Sequence, residues 1–330
     1  MKQMNWKWAD LGKAMLEGPS QGAWASCMAA SRLGSIELAA QEWSIWVQVR
    51  GQAWVEAKEG RFFLRRGDWI ALSRDSHPTL QANRGGLCVG VSVTDDTMKA
   101  MAQFSEFGLH AGRGSLAQRD VRTYTRLWHR LAAHLGKGTT ASRMEAPLRC
   151  LLLHLESMQS EYRSRLQRCP GPSLGRKRQV FDRMQRARLY LEGNCDRMVR
   201  VGELAERTQF SVWYFSKVFH RLYDESPQSA SAAMRLEHAA NLLVSTPMTI
   251  GEVGVASGFD NNCSFARSFR ARFGMTATDY RGGKHFRHGT QTCGTARANH
   301  IAAPGDSVSY ARKNADSSSR PNVTGRLTRP

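Results

Sequence analysis

The sequence predicts an α+β chain with two folded domains, a β-barrel with following helices and then an all-α domain, ahead of a disordered basic tail. Three observations carry that expectation. Apolar and polar residues alternate with period two up to about Val93, as in strands with one buried face. From Ser115 onward apolar residues recur every three or four positions, as on one side of a helix. Beyond Arg281 both periodicities dissolve into Gly, Ser, Thr, Asn and Arg. A chain of 330 residues has room for two cores and such a tail.

In the first part, alternation runs through Ile45-Trp46-Val47-Gln48-Val49, Ala53-Trp54-Val55-Glu56 and Leu87-Cys88-Val89-Gly90-Val91. Turns are expected at Arg50-Gly51-Gln52 and Lys58-Glu59-Gly60. Arg66-Gly67-Asp68-Trp69-Ile70-Ala71-Leu72, followed by His77-Pro78, resembles the Gly-Asp, strand, His order of cupin-like barrels. Enzymes of that kind hold a metal with two nearby His, a carboxylate and a further His, leaving coordination sites open for chemistry. Here His77 stands alone, while His110, His129 and His134 fall in later stretches. A turn or rim histidine is therefore expected, with no metal, no catalytic residue and no cofactor. The aromatic residues Trp43, Trp46, Trp54, Phe62, Phe63 and Trp69 are expected mainly as barrel core. A mouth lined by some of them is the default pocket for a small effector.

Between Ser115 and Gln167 two helical stripes follow: Val121, Tyr124, Leu127, Trp128, Leu131 and Leu135, then Leu148, Leu151, Leu152, Leu155 and Met158. Residues 1–168 thus read as an N-terminal domain. Cys169-Pro170-Gly171-Pro172-Ser173 and Arg176-Lys177-Arg178 interrupt the periodicity, so 169–178 reads as a linker. Gln179 then opens a helix to Gly193 with Val180, Met184, Ala187 and Leu191 inward.

Two helix-turn-helix units follow within 179–282. In the first, Val201, Leu204 and Ala205 start a short helix, Gln209-Phe210 turns, and Ser211 caps a second helix. Phe215, Val218, Phe219 and Leu222 fall on its buried face, leaving Val212, Trp213, Ser216, Lys217 and His220 outside. Ser226-Pro227 opens a connecting helix that ends before Pro247 and turns Met234, Leu236, Ala239, Leu242 and Leu243 inward. In the second unit Thr249-Ile250-Gly251-Glu252 forms a capping box and Gly258 serves the turn. Asp260 or Asn261 then caps a helix with Phe265, Phe269 and Phe273 inward and Asn262, Cys263, Ala266 and Arg267 outward.

Arg235-Leu236, Ala239, Leu242-Leu243, Ile250, Gly258-Phe259, Phe265, Arg267, Phe269, Gly274 and Tyr280-Arg281 stand in the order and spacing of the AraC/XylS transcription regulators, which residues 179–281 resemble. Gln209, Gly254 and Ala277 depart from the Gly, Ala and Pro usual at those places. The resemblance implies a pair of homeodomain-like units that read successive major grooves of double-stranded DNA. It carries the reading role to Trp213, Ser216 and Lys217 in the first unit and to Asn262, Cys263 and Arg267 in the second. The chemistry agrees: Arg267 can grip guanine O6 and N7, and Asn262 adenine N7 and N6. Trp213 offers apolar contact to thymine methyls, and Arg270 suits a phosphate. Also implied are a homodimer, RNA polymerase as partner, activation of transcription, a small-molecule or protein effector at the cupin-like domain, and a place in the bacterial cytoplasm with the nucleoid.

The formal charge of +19 suits a polyanionic partner, although it spreads as about +8 over 1–170, +5 over 171–281 and +6 over the remainder. Placement says more, since Arg267, Arg270 and Arg272 lie between Asp260 and Asp279 with no acid among them. Residues 283–330 are expected to be a disordered basic tail that adds phosphate attraction or nothing. Seven cysteines without a Cys-x-x-Cys pair fit reduced thiols. Lys7, Asp10 and Lys13 interrupt the N-terminus, so no signal peptide is expected, and no apolar run reaches membrane length. The regulator reading leads. A cupin-type metal oxygenase lacks ligands, a DNA-repair methyl acceptor lacks a cysteine cluster, and an effector-free regulator governed by a protein partner stays open.

Overall fold

The computed structural model describes residues 6–18, 25–39, 41–101, 105, 108–135 and 141–283. The expected tail at 283–330 lies almost wholly outside them. Strands come first: β1 (Trp6–Ala9), β2 (Ala14–Glu17), β3 (Ala25–Ser31), β4 (Ser35–Leu38), β5 (Trp43–Arg50), β6 (Gln52–Ala57), β7 (Gly60–Arg65), β8 (Asp68–Leu72), β9 (Thr79–Ala82) and β10 (Leu87–Val93). Helix α1 (Asp95–Met101) and strand β11 (Gly112–Ser115) precede α2 (Gln118–Leu135), α3 (Ala141–Met158) and α4 (Ser160–Arg168). The remaining helices are α5 (Leu174–Gly193), α6 (Val201–Thr208), α7 (Val212–Tyr223), α8 (Pro227–Ser245), α9 (Ile250–Ala256), α10 (Asn262–Phe273) and α11 (Ala277–Arg281).

The strands make two sheets, in the orders β1-β3-β10-β5-β8-β11 and β2-β4-β9-β6-β7. The expected closed barrel is not what forms: among the described residues no ladder joins one sheet to the other. The period-two pattern is satisfied by layers instead. Along β5, Ile45 and Val47 enter a core shared with the helices, while Trp46 between them enters the core between the sheets. In β10, Val89 and Val91 go to the first and Cys88 to the second. The six-stranded sheet is therefore a middle layer covered on both faces, which is why β5 is buried at nearly every position.

The six aromatics consequently part three ways instead of lining one mouth. Trp43 and Trp69 face the helices, and Trp46 and Phe62 fill the space between the sheets. Trp54 and Phe63 stack as a cross-strand pair on the outer face, beneath Arg61 and Arg65. His77 is an exposed turn residue with φ 44. No group of three or more His, Cys, Asp or Glu among the described residues could hold a metal ion.

Helix α5 starts at Leu174, earlier than expected, so only 169–173 of the supposed linker is non-helical. Ser173 caps it by accepting from the Arg176 N–H. Its end packs on the β6–β7 turn so closely that a Cβ on Gly60 would lie 2.3 Å from the Gly193 oxygen. Asn194 donates to the Glu59 carbonyl at 2.8 Å beside it. One apolar core runs from β3, β5 and β10 through Trp128, Leu155 and Phe181 to Phe215 and Phe219 of α7. A separate core, around Leu236, Val253, Phe265 and Phe269, holds α8 to α11 together. Among the described residues no helix is long and apolar enough to cross a membrane.

Candidate nucleic-acid interface

The first unit is α6, a turn and α7. Gln209 takes the left-handed conformation (φ 55) at the end of α6, and the Phe210 N–H reaches back to the Ala205 carbonyl at 2.9 Å. That sharp reversal is the work usually given to glycine. Ser211 then accepts from the Tyr214 N–H and starts α7. Phe215, Val218, Phe219 and Leu222 are buried as the spacing predicts. The opposite face presents Trp213, which is 69% exposed, together with exposed Lys217 and half-buried Ser216. Lys217 Nζ lies 4.7 Å from the Trp213 ring centre, so two expected reading residues form one cation–π pair.

The second unit repeats this with α9 and α10. Thr249 and Glu252 form the predicted capping box. Asn261, of the two candidates, caps α10 by accepting from the Ser264 N–H at 2.7 Å. Phe265 and Phe269 are buried, whereas Phe273 is half-buried and stacks on Tyr280. Gly254, where the resemblance implied Ala, is buried where an added Cβ would lie 3.2 Å from the Phe265 ring. Ala277 begins α11 without a proline, because Thr276 accepts from the Asp279 N–H.

Asn262, Cys263, Arg267 and Arg270 are all exposed on α10. Arg267 Nε donates only weakly, to the Cys263 carbonyl at 3.4 Å. Arg272, grouped with them by sequence, instead pairs with Glu237 of α8 at 3.2 Å. The geometry therefore divides the basic run, leaving Arg267 and Arg270 on the open face.

Sequence reasoning missed the side chains that hold these helices in place. Arg235 of α8 donates to the Gly258 carbonyl at 2.7 Å and stacks on Phe259, 4.7 Å from the ring centre. It thereby fastens the connecting helix to the turn of the second unit. Arg197, before α6, grips Glu203 through two bonds of 2.7 and 3.1 Å and also donates to the Tyr190 hydroxyl. Arg207 lies 3.8 Å over the Tyr190 ring. The bonds from Arg197, with Tyr190 adding its hydroxyl, hold the Glu203 carboxyl down to about 2. Arg168 of α4 forms a two-bonded pair with Asp224 at the end of α7. In the sequence Arg235 stood out only as a motif position, and the cluster around Glu203 only as a Glu203–Arg207 pair one turn apart.

A family model described as a helix-turn-helix domain matches residues 204–283. The Transposon Tn10 TetD protein of Escherichia coli is 32% identical over 96 residues, which are 29% of this chain and 70% of that protein. The HTH-type transcriptional regulator CdhR of Pseudomonas aeruginosa is 34% identical over 79 residues, 24% of each chain, so most of its length lies outside the match. A solved structure, a probable AraC family transcriptional regulator from Rhodopseudomonas palustris, is 30% identical and covers 31% of this chain and 95% of its own, with a TM-score of 0.29.

Proposed function

The chain belongs to the AraC/XylS family of transcription regulators, and from that premise we propose that α7 and α10 are its two DNA-reading helices. Sequence-specific binding of double-stranded DNA is the function; the choice of reading residues is our inference. The observation that carries it is the matched construction of the two helices. Each is started by a side-chain cap, buries an aromatic face in a core and leaves an open face with aromatic, amide or cationic groups. A major groove admits one such helix, and its floor displays a donor and acceptor pattern unique to each base pair.

Trp213, Ser216 and Lys217 then read one groove, and Asn262, Cys263 and Arg267 the next, with Arg270 on a phosphate. α8 sets the separation between them, and Arg235 holds the second unit to it. Residues 1–168 act as an effector-binding domain, 169–178 carry the connection to the reading domain at 179–282, and 283–330 are an accessory tail. The regulator works as a homodimer in the cytoplasm, activates transcription through RNA polymerase, and answers to an effector held by the N-terminal domain.

Selection of bound duplexes from a random pool by the full chain tests this reading. The expected result is a two-part motif whose halves are about one duplex turn apart. Recovery of no preferred sequence overturns it.

A further inference from the structure

The N-terminal domain carries a groove of about 820 Å³ along α2 that the reading helices do not use. Its walls include Arg66 from the β7–β8 turn and Arg122, Arg126 and Arg130 from α2, with Val49 and Leu127 among the apolar lining. Among the described residues no carboxylate lines it. Among the described residues none of these four guanidiniums forms an ion pair, whereas Arg32, Arg74, Arg168, Arg188 and Arg197 each bind a carboxylate.

Arg122, Arg126 and Arg130 follow one another at four-residue spacing, so each is displaced about 6 Å from the last along the helix. Arg66 joins them from outside the helix. A single carboxylate would engage one or two of four cations arranged in that way. A chain of phosphates meets several, since each guanidinium offers a planar fork that matches phosphate oxygens. The concavity has the size of a small-molecule site. The half-buried side chains of Val49 and Leu127 add apolar surface for a planar ring. A second copy of this chain would bring the same positive charge to the same place and be repelled.

We propose that this groove binds a small molecule bearing two or more phosphates, a nucleoside polyphosphate in chemical class, as the effector of the N-terminal domain. The regulatory consequence rests on the function proposed above, but the binding itself does not, and it is measured without DNA. Titration calorimetry on the full chain with ATP, GTP and inorganic triphosphate separates the contribution of the ring from that of the phosphates. Saturable binding of a nucleotide is expected, tighter than that of triphosphate alone. R122Q/R126Q should weaken it by roughly 100-fold, and R122K/R126K by less, because charge is kept while the forks are lost. Arg122, Arg126 and Arg130 lie on the exposed face of α2, and unchanged thermal melting of the variants checks that the fold survives. Failure of every probe to bind, or equal binding by the R122Q/R126Q variant, overturns the proposal. So does displacement of the nucleotide by random duplex DNA together with a shallower salt dependence of DNA binding in the variant, which would make the groove a track for the DNA backbone.

Discussion

Gly258, in the turn of the second unit, lies against the backbone of Arg197, in the loop before the first. A Cβ on Gly258 would sit 2.7 Å from the Arg197 Cα, and Gly258 itself has φ 72. Two separate demands thus meet at one glycine: a left-handed turn and a close approach of two chain segments. Arg197 is in turn anchored to Glu203 and Tyr190, so the contact ties the second turn to the helix that begins the first unit.

Gly258→Ala should accordingly destabilise the protein by roughly 2–4 kcal/mol, the left-handed strain and the overpacking acting together. Chemical denaturation measures the loss. A change within about 0.5 kcal/mol would show that the two segments separate freely.

Gln209 poses the opposite case. It holds φ 55 with a side chain that must tolerate the left-handed region. Gln209→Gly removes that strain while adding freedom to the unfolded chain, and a net gain of about 0.5–1 kcal/mol is expected. A lowered melting temperature would contradict the account of this turn.

Glu203 supplies a pH dependence. Its folded carboxyl is held near 2 against an ordinary 4.5, chiefly by Arg197. The unfolded chain therefore binds this proton first, and the stabilisation is complete above about 4.5 and is lost as pH falls toward 2. Stability curves measured across that window should fall less steeply for Glu203→Gln than for the native chain, with the difference vanishing at the acid end.

At the reading face, Arg267→Ala should weaken binding to a selected site by about 1–3 kcal/mol and leave binding to random duplex nearly unchanged. Electrophoretic mobility measurements with both DNAs at one salt concentration decide it. Equal losses would move Arg267 from base to backbone.

Much of this was legible in the sequence. Helix starts declare themselves locally, because a cap satisfies backbone N–H groups only three residues away, and Ser211, Ser226 and Thr249 cap as their spacing predicts. The buried faces of α7 and α10 were readable for a similar reason, since 3.6-residue periodicity is a property of one segment. Period two was less informative. It announced strands correctly but could not distinguish a barrel interior from a sheet covered by a second sheet on one face and helices on the other, as Ile45 and Trp46 show.

By itself, then, the sequence determined the β-rich start, the paired helix-turn-helix units and which side of each second helix faces out, because local hydrogen bonding and short-range periodicity dictate them. Tertiary structure alone decided that Arg272 is taken by Glu237 while Arg267 and Arg270 stay free to face a partner, and that Arg235 clamps a turn 23 residues away. Those outcomes depend on which distant segments meet, and such meetings are fixed only once the cores have closed.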